Sequence, residues 1–327
     1  MERRATILAF AAFALAAVAS SAFPQQKQKT WRIGLVWGGT GGAQEEGFLA
    51  GLKDHGYEVG RNVVLEVRYA KGDPSRYAAL LDEVMASKPD ILIGTNTQIA
   101  LEMKRRTRTI PIVLGTPGDP VGSGLVQSLA RPGGNITGMS LQIHELSEKH
   151  IQLLAEVLPR MRKVAVLSDQ SNEKSITEQY ERIARTSASA KGLDIAVHRF
   201  DNLEQIRAAF RELESRGADA LLINPSPRAN FLRKEIIGGA AKLRLASIGF
   251  SDEWAQDGAL LSFGPNFVEA TRRTAYYVDR IIKGAKPADL PLEQPTKFSL
   301  AVNRAAARQL GVRLPDSLLV RADRVID

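Results

Sequence analysis

The sequence predicts an α/β protein of two doubly wound lobes, each a mostly parallel sheet covered on both faces by helices. Short runs that are apolar on both faces alternate with amphipathic stretches, the pattern of buried parallel strands and their crossover helices. That pattern restarts after a Gly/Pro-rich passage at residues 129–138 (LARPGGNITG), and 327 residues suffice for two domains. Apolar residues make up 44% and charged residues 24%, which excludes a wholly disordered chain. The chain has no cysteine, so disulfides, thiol nucleophiles, Cys-ligated zinc, iron–sulfur clusters and attachment of lipid through an N-terminal Cys are excluded. The four histidines show no close metal-ligand spacing, and neither metal nor cofactor is expected.

The N-terminus reads as an address. Met1-Glu2-Arg3-Arg4 is a positive start, residues 5–19 carry Thr6 as their single polar side chain, and small residues offer cleavage after Ala19 or Ala22. That order describes a secretory signal peptide over residues 1–22, shorter than a membrane span, and residues 23–30 read as a flexible tail. The expected location is the periplasm, in solution rather than as a lipoprotein.

From Trp31 the elements follow in order. Ile33–Trp37 is a strand ending in Gly38-Gly39-Thr40-Gly41-Gly42, and a helix carrying Phe48, Leu49 and Leu52 stops at Gly56. Residues 63–69 alternate as a strand, and Asp73-Pro74 opens a helix with Asp as N-cap and Pro at its first position. Strands at 91–94 and 110–114 enclose a helix that begins after Thr97. A helix through Leu146, His150 and Leu154 ends at Pro159, and His150 on its apolar face reads as a core histidine. Strands follow at 164–167, 193–199, 218–223, 245–248 and 259–263, with helices marked by Ile176/Tyr180, Ile206/Phe210 and Phe231/Ile236. A last long helix carries Val268, Ala275, Val278 and Ile282 and closes at Gly284.

Ligands of open α/β sheets bind beyond the carboxyl ends of the strands. The loops found there hold the candidate binding residues: Trp37, Gly39, Thr40, Thr95, Asn96, Thr97 and Asp119 in the first half, and Asp169, Ser226, Phe250 and Phe263 in the second. Hydroxyls and backbone amides at helix N-termini suit a carboxylate or another small anion. Asp119 suits an ammonium or serves as a helix cap before Pro120. The glycines at 38–42 either approach a ligand or make a tight turn, and Trp37 either stacks on a ligand or packs in the core. Signatures of catalysis are missing. There is no GxSxG elbow, Phe48-Leu49 stands where a phosphate-binding loop needs Lys and Ser/Thr, and GxGxxG does not occur after the first strand. The net charge of +8 is scattered, with Lys104-Arg105-Arg106 reading as a helix end, so no nucleic-acid partner is expected.

Several segments resemble one bacterial family, the tryptophan/tyrosine-type (TrpX-like) substrate-binding proteins of ABC transporters. They are GYEVGRN at 56–62, GDPVGSGL at 118–125, SLARPGGNITG at 128–138, FGPN at 263–266 and GAKPADLPLEQPTKF at 284–298, continued by Asn303 and Arg321-Ala322-Asp323. The resemblance implies a type I periplasmic binding fold, two lobes joined by a three-strand hinge, with crossings near 138–141, 257–260 and 290–292. One lobe would comprise 31–140 plus 258–290 and the other 141–257 plus 291–327. It further implies a monomeric receptor without enzymatic activity that delivers a small solute, an amino acid or small aromatic compound, to an inner-membrane ABC permease. A ligand sensor for a membrane signalling protein and an exported α/β enzyme are the alternatives.

Overall fold

The structure is a computed structural model that describes residues 29–327. The expected signal peptide and most of the tail lie outside the described residues. From Trp31 the two predicted sheets are present.

The first sheet contains β1 (Trp31–Trp37), β2 (Val63–Tyr69), β3 (Ile91–Gly94), β4 (Ile112–Leu114) and β5 (Ile136–Gly138), in the order β2-β1-β3-β4-β5 and parallel throughout. Period-two alternation divides its side chains between two layers. Ile33, Leu35 and Trp37 belong to one core with Phe48 and Leu52 of α1 (Ala43–Asp54). Val36 and Leu92 belong to the other, with Tyr77 and Leu81 of α2 (Tyr77–Ala86) and Ile99 of α3 (Thr97–Arg106). Asp73 caps as expected, accepting from the Ser75 amide at 3.1 Å, but it opens the 3-10 turn Pro74–Arg76 that feeds α2. Strand β5 emerges from inside the LARPGGNITG passage. Gly138 there has φ 128°, and a Cβ on it would stand 2.5 Å from the Leu114 amide nitrogen, so only glycine lets β5 lie against β4.

The second sheet is built from β6 (Lys163–Asp169), β7 (Asp194–Phe200), β8 (Ala220–Ile223), β9 (Ala246–Gly249), β10 (Leu261–Pro265), β11 (Phe298–Asn303) and β12 (Arg324–Ile326). Their order is β12-β11-β10-β9-β8-β6-β7, parallel except for the antiparallel pair β10/β11. Its helices are α4 (Leu146–Val157), α5 (Lys174–Ser189), α6 (Leu203–Arg216), α7 (Pro227–Phe231), α8 (Arg233–Lys242) and α9 (Asp252–Gln256). The helix expected around Phe231 is two helices, α7 and α8, that meet at Leu232. His150 is the buried core residue expected: its Nδ1 lies 3.1 Å from the Tyr180 hydroxyl and its Nε2 2.7 Å from the Phe263 carbonyl oxygen.

The chain passes between the sheets three times. The first passage follows Gly138, where Met139 bridges to Glu293 and the Ser140 amide donates to the Glu293 carbonyl at 2.8 Å. The second was expected near 257–260 but falls after Pro265, because β10 pairs with β9 and β11 inside the second sheet. Beyond it, α10 (Phe267–Ile282) returns to the first sheet and packs along α1. The third follows Glu293 and leads into β11; α11 (Arg304–Leu310) and α12 (Asp316–Arg321) complete the second lobe.

Candidate functional site

The strands of both sheets direct their carboxyl ends toward one cavity of about 130 Å³, as traced by the centre of a water molecule. Trp37 ends β1, Thr95 follows β3, Thr116 and Gly118 follow β4, and these line the first lobe's side. Ser226 follows β8, Phe250 and Ser251 follow β9, Asn172 comes from the β6–α5 connection and Ile176 from the first turn of α5; these line the second. A wider open groove of about 900 Å³ runs past Pro159, Asp219 and Arg244 at the amino ends of the second sheet's strands, where α/β folds do not bind their ligands.

Helix caps fix the polar groups. Asn96 caps α3, its Oδ1 accepting from the Ile99 amide at 2.9 Å, while its Nδ2 donates to the Tyr77 hydroxyl at 3.3 Å. Burial pushes that phenol up to about 12, so it stays protonated at neutral pH. Ser226 caps α7 by accepting from the Ala229 amide at 2.9 Å, and Pro227 occupies the first helical position. The Thr95 hydroxyl donates to the Val36 carbonyl and ties β3 to β1; Thr97 Oγ1 accepts from the Gly118 amide at 3.0 Å and ties α3 to the loop after β4.

Of the residues predicted from sequence, the cavity lining includes Trp37, Gly39, Thr40, Thr95, Asn96, Thr97, Ser226 and Phe250. Asp119, Asp169 and Phe263 lie outside it. Asp119 closes its own turn by accepting from the Gly122 amide at 2.8 Å, with Gln179 of α5 at 3.4 Å. Buried Asp169 accepts from the Ser171 amide at 2.9 Å and lies 4.0 Å from Arg228 Nη1. Phe263 stacks on Phe298 with ring centres 5.6 Å apart. The glycine loop has two jobs: Gly41 and Gly42 turn the chain at φ 78° and 57°, and Gly38 lets Pro227 of the facing lobe approach. The sequence reading missed Asn172, Asn230, Phe267, Ile143 and Ile176. Asn172 stands three residues beyond the candidate Asp169, in the same strand-to-helix connection, which is the signal that could have found it.

Among the described residues no charged side chain lines the cavity. Charges instead gather at its rim, where the lobes touch. Arg228 of α7 donates through Nε to the Gly72 carbonyl at 2.9 Å and stands 3.6 Å from Asp73, both in the first lobe. Its Nη1 donates to the Asp201 carbonyl within its own lobe. Gln98 of α3 donates to the Ser171 carbonyl at 2.6 Å, a second bond across the gap. Among the described residues no cluster of His, Asp or Glu suited to a metal is present, and no helix is long and apolar enough to cross a membrane.

Comparison with known proteins agrees with this architecture. A structure of a conserved domain protein from Vibrio cholerae O1 biovar El Tor is 27% identical, covers 91% of this chain and all of that one, and superposes with a TM-score of 0.82. A Streptococcus pneumoniae ABC domain in complex with L-Trp is 22% identical with the same coverage and a TM-score of 0.81. The tyrosine-binding protein of Clostridioides difficile (strain R20291) is 22% identical over 272 residues, 82% of this chain and 76% of that one. The family model for the ABC transporter substrate binding protein matches residues 38–326, nearly the whole of the described chain, and to that family this protein belongs.

Proposed function

We propose that the chain is the monomeric, non-enzymatic solute receptor of an ABC importer, exported to the periplasm and presenting its captured solute to an inner-membrane permease. The proposed binding residues are Trp37, Gly39, Thr40, Thr95, Asn96, Thr97, Ser226 and Phe250, joined by Asn172 and Ser251. The observation that carries the reading is a cavity walled by both lobes at the carboxyl ends of their strands and bridged at its rim by Arg228 and Gln98. A cavity walled by two lobes widens and narrows as they part and meet, so capture is a hinge motion about the three crossing segments. Solute shifts the hinge only through contacts that it makes in the closed form and not in the open one. Trp37, Phe250 and Phe267 supply an aromatic surface for a planar or apolar group, and the hydroxyls supply direction. The aromatic amino acids of the two named relatives, L-Trp and tyrosine, support a solute of that size.

Native mass spectrometry of the protein purified from its host tests this. One small molecule bound one-to-one, and recovered chemically unchanged after prolonged incubation, is the expected result. A chain that carries nothing and shows no thermal shift with amino acids, purines or small aromatic acids would overturn the receptor reading. A bound compound that is converted on incubation would favour an enzyme.

A further inference from the structure

Resting on the receptor role and the hinge proposed above, we infer that Gln142 is a positioning residue of the hinge: its left-handed backbone disfavours the closed form and keeps the empty receptor open. Among the described residues four other than glycine have positive φ: Lys71, Lys88, Gln142 and Arg244. Lys88 and Arg244 each stand one residue past the cap that ends a helix, α2 and α8, where a left-handed residue ordinarily closes the helix. Lys71 turns the chain beside Gly72 after β2. Gln142 has the opposite place. At φ 46° and ψ 45° it precedes the 3-10 turn Ile143–Glu145, where extended backbone is usual. Its side chain makes no hydrogen bond among the described residues. Nothing local therefore offsets a conformation that all residues but glycine resist, asparagine less than most.

Position gives this conformation its consequence. The first passage between the lobes is bonded to the first lobe as far as Leu141, whose amide donates to the Pro117 carbonyl at 2.9 Å. Just before it, the Ser140 amide donates to the Glu293 carbonyl at 2.8 Å, and Arg273 of α10 grips the Glu293 carboxylate at 2.8 and 2.7 Å. From Ile143 onward the chain belongs to the second lobe, since the 3-10 turn packs on α5 and leads into α4. Gln142 alone lies between, so rotation of the lobes falls on its two dihedrals. The peptide before it is unpinned. Among the described residues the Leu141 carbonyl accepts no hydrogen bond and the Gln142 amide donates none. That plane can flip as the lobes part, returning Gln142 to negative φ without breaking a bond. The other passages carry no such residue. Asn266 in the second has φ −72°, and residues 293–298 in the third include none of positive φ. The strain is thus concentrated at one point of the form in which Arg228 and Gln98 bridge the gap. Gln142 does not line the cavity, so it acts on all solutes alike, through the fraction of molecules competent to hold one.

A crosslinking assay without solute reads that fraction. The sequence has no cysteine, so Gln98→Cys and Ser171→Cys, at the pair bonded across the gap, supply the only two thiols. Dibromobimane, which fluoresces once it bridges two thiols, then captures the closed form at a rate proportional to its population, provided that the hinge moves faster than capture. In that background Gln142→Gly should crosslink about five-fold faster, Gln142→Asn about two-fold faster and Gln142→Val about three-fold slower, the order of left-handed preference. Thermal melting of the same four chains separates the hinge from plain stability. Melting temperatures that follow the series while the crosslinking rates stay equal would mean that Gln142 is left-handed in both forms, and would overturn the inference. Rates that stay equal for any other reason, zero included, or that run in another order overturn it too. None of these results touches the receptor reading, which the adduct in native mass spectrometry decides separately.

Discussion

The cavity and its rim are built from opposite chemistry. Inside are hydroxyls, amides and aromatic rings, without one charged side chain among the described residues; outside, Arg228 reaches across to Gly72 and Asp73, and Gln179 to Asp119. The difference separates two tasks. The interior discriminates between solutes, because an unpaired charge there finds neither water nor counter-ion. On the proposed hinge motion, the rim sets how readily the lobes meet, because its bonds run from one lobe to the other and are lost when they part whatever lies within. A solute's apparent affinity is its intrinsic affinity reduced by the scarcity of the competent state, so both regions enter one measured constant.

Forcing charge into the interior of the second lobe should have the largest effect. His150 is fully buried, and burial lowers its pKa from the ordinary 6.5 to about 4. The unfolded chain therefore takes up this proton below about pH 6.5, while the folded chain resists until near pH 4. Stability is complete above that window and falls as pH drops through it, by about 3 kcal/mol in all. Urea midpoints at pH 7 and 4.5 should lie closer together for His150→Gln than for the unaltered protein. Parallel losses in the two proteins would place the acid sensitivity elsewhere.

The gap between the lobes is the next point of attack. A Cβ on Gly38 would stand 2.9 Å from the Pro227 ring and 2.7 Å from Asn96 Nδ2. Gly38→Val should hold the lobes apart at about 2 kcal/mol, a loss of about thirty-fold in affinity. Small-angle scattering should show the variant expanded even with solute present. Unchanged affinity would mean that the facing surfaces yield. Arg228→Ala tests the rim alone and should cost about ten-fold, with a shallower dependence on salt than in the unaltered protein. A variant that weakens one solute much more than another would break the division of labour, since the rim ought to act equally on all.

The strands with long apolar runs were legible because burial on both faces leaves a mark in the sequence itself; β2 and β3 match their predicted bounds. Short strand β5 left no such mark, and nothing local says that β10 remains in the second sheet, because that depends on partners at residues 246–249 and 298–303. The site was half legible for a related reason. Position at a strand's end can be read, but where a side chain's bonds go cannot. Asp169 and Asp119 have the charge and placement of ligand contacts, yet a serine two residues on and an amide three residues on claim them. Asp169-Gln170-Ser171 carries the spacing of an Asx turn, and that cue favoured the local bond. Phe267 and Asn230 entered the lining because a helix start and a two-helix junction bring them there, details that depend on the breaks at Asn266 and Leu232.

Helix α10 lies along α1, although more than two hundred positions of chain separate Phe48 and Leu52 from Ala275 and Val278 in the shared core. During synthesis the apolar flank of α1 therefore stays bare until its distant companion leaves the ribosome. The first lobe is thus completed only from the far side of the second, and a chain truncated before α10 keeps an unsealed apolar face on α1 rather than forming a smaller working unit.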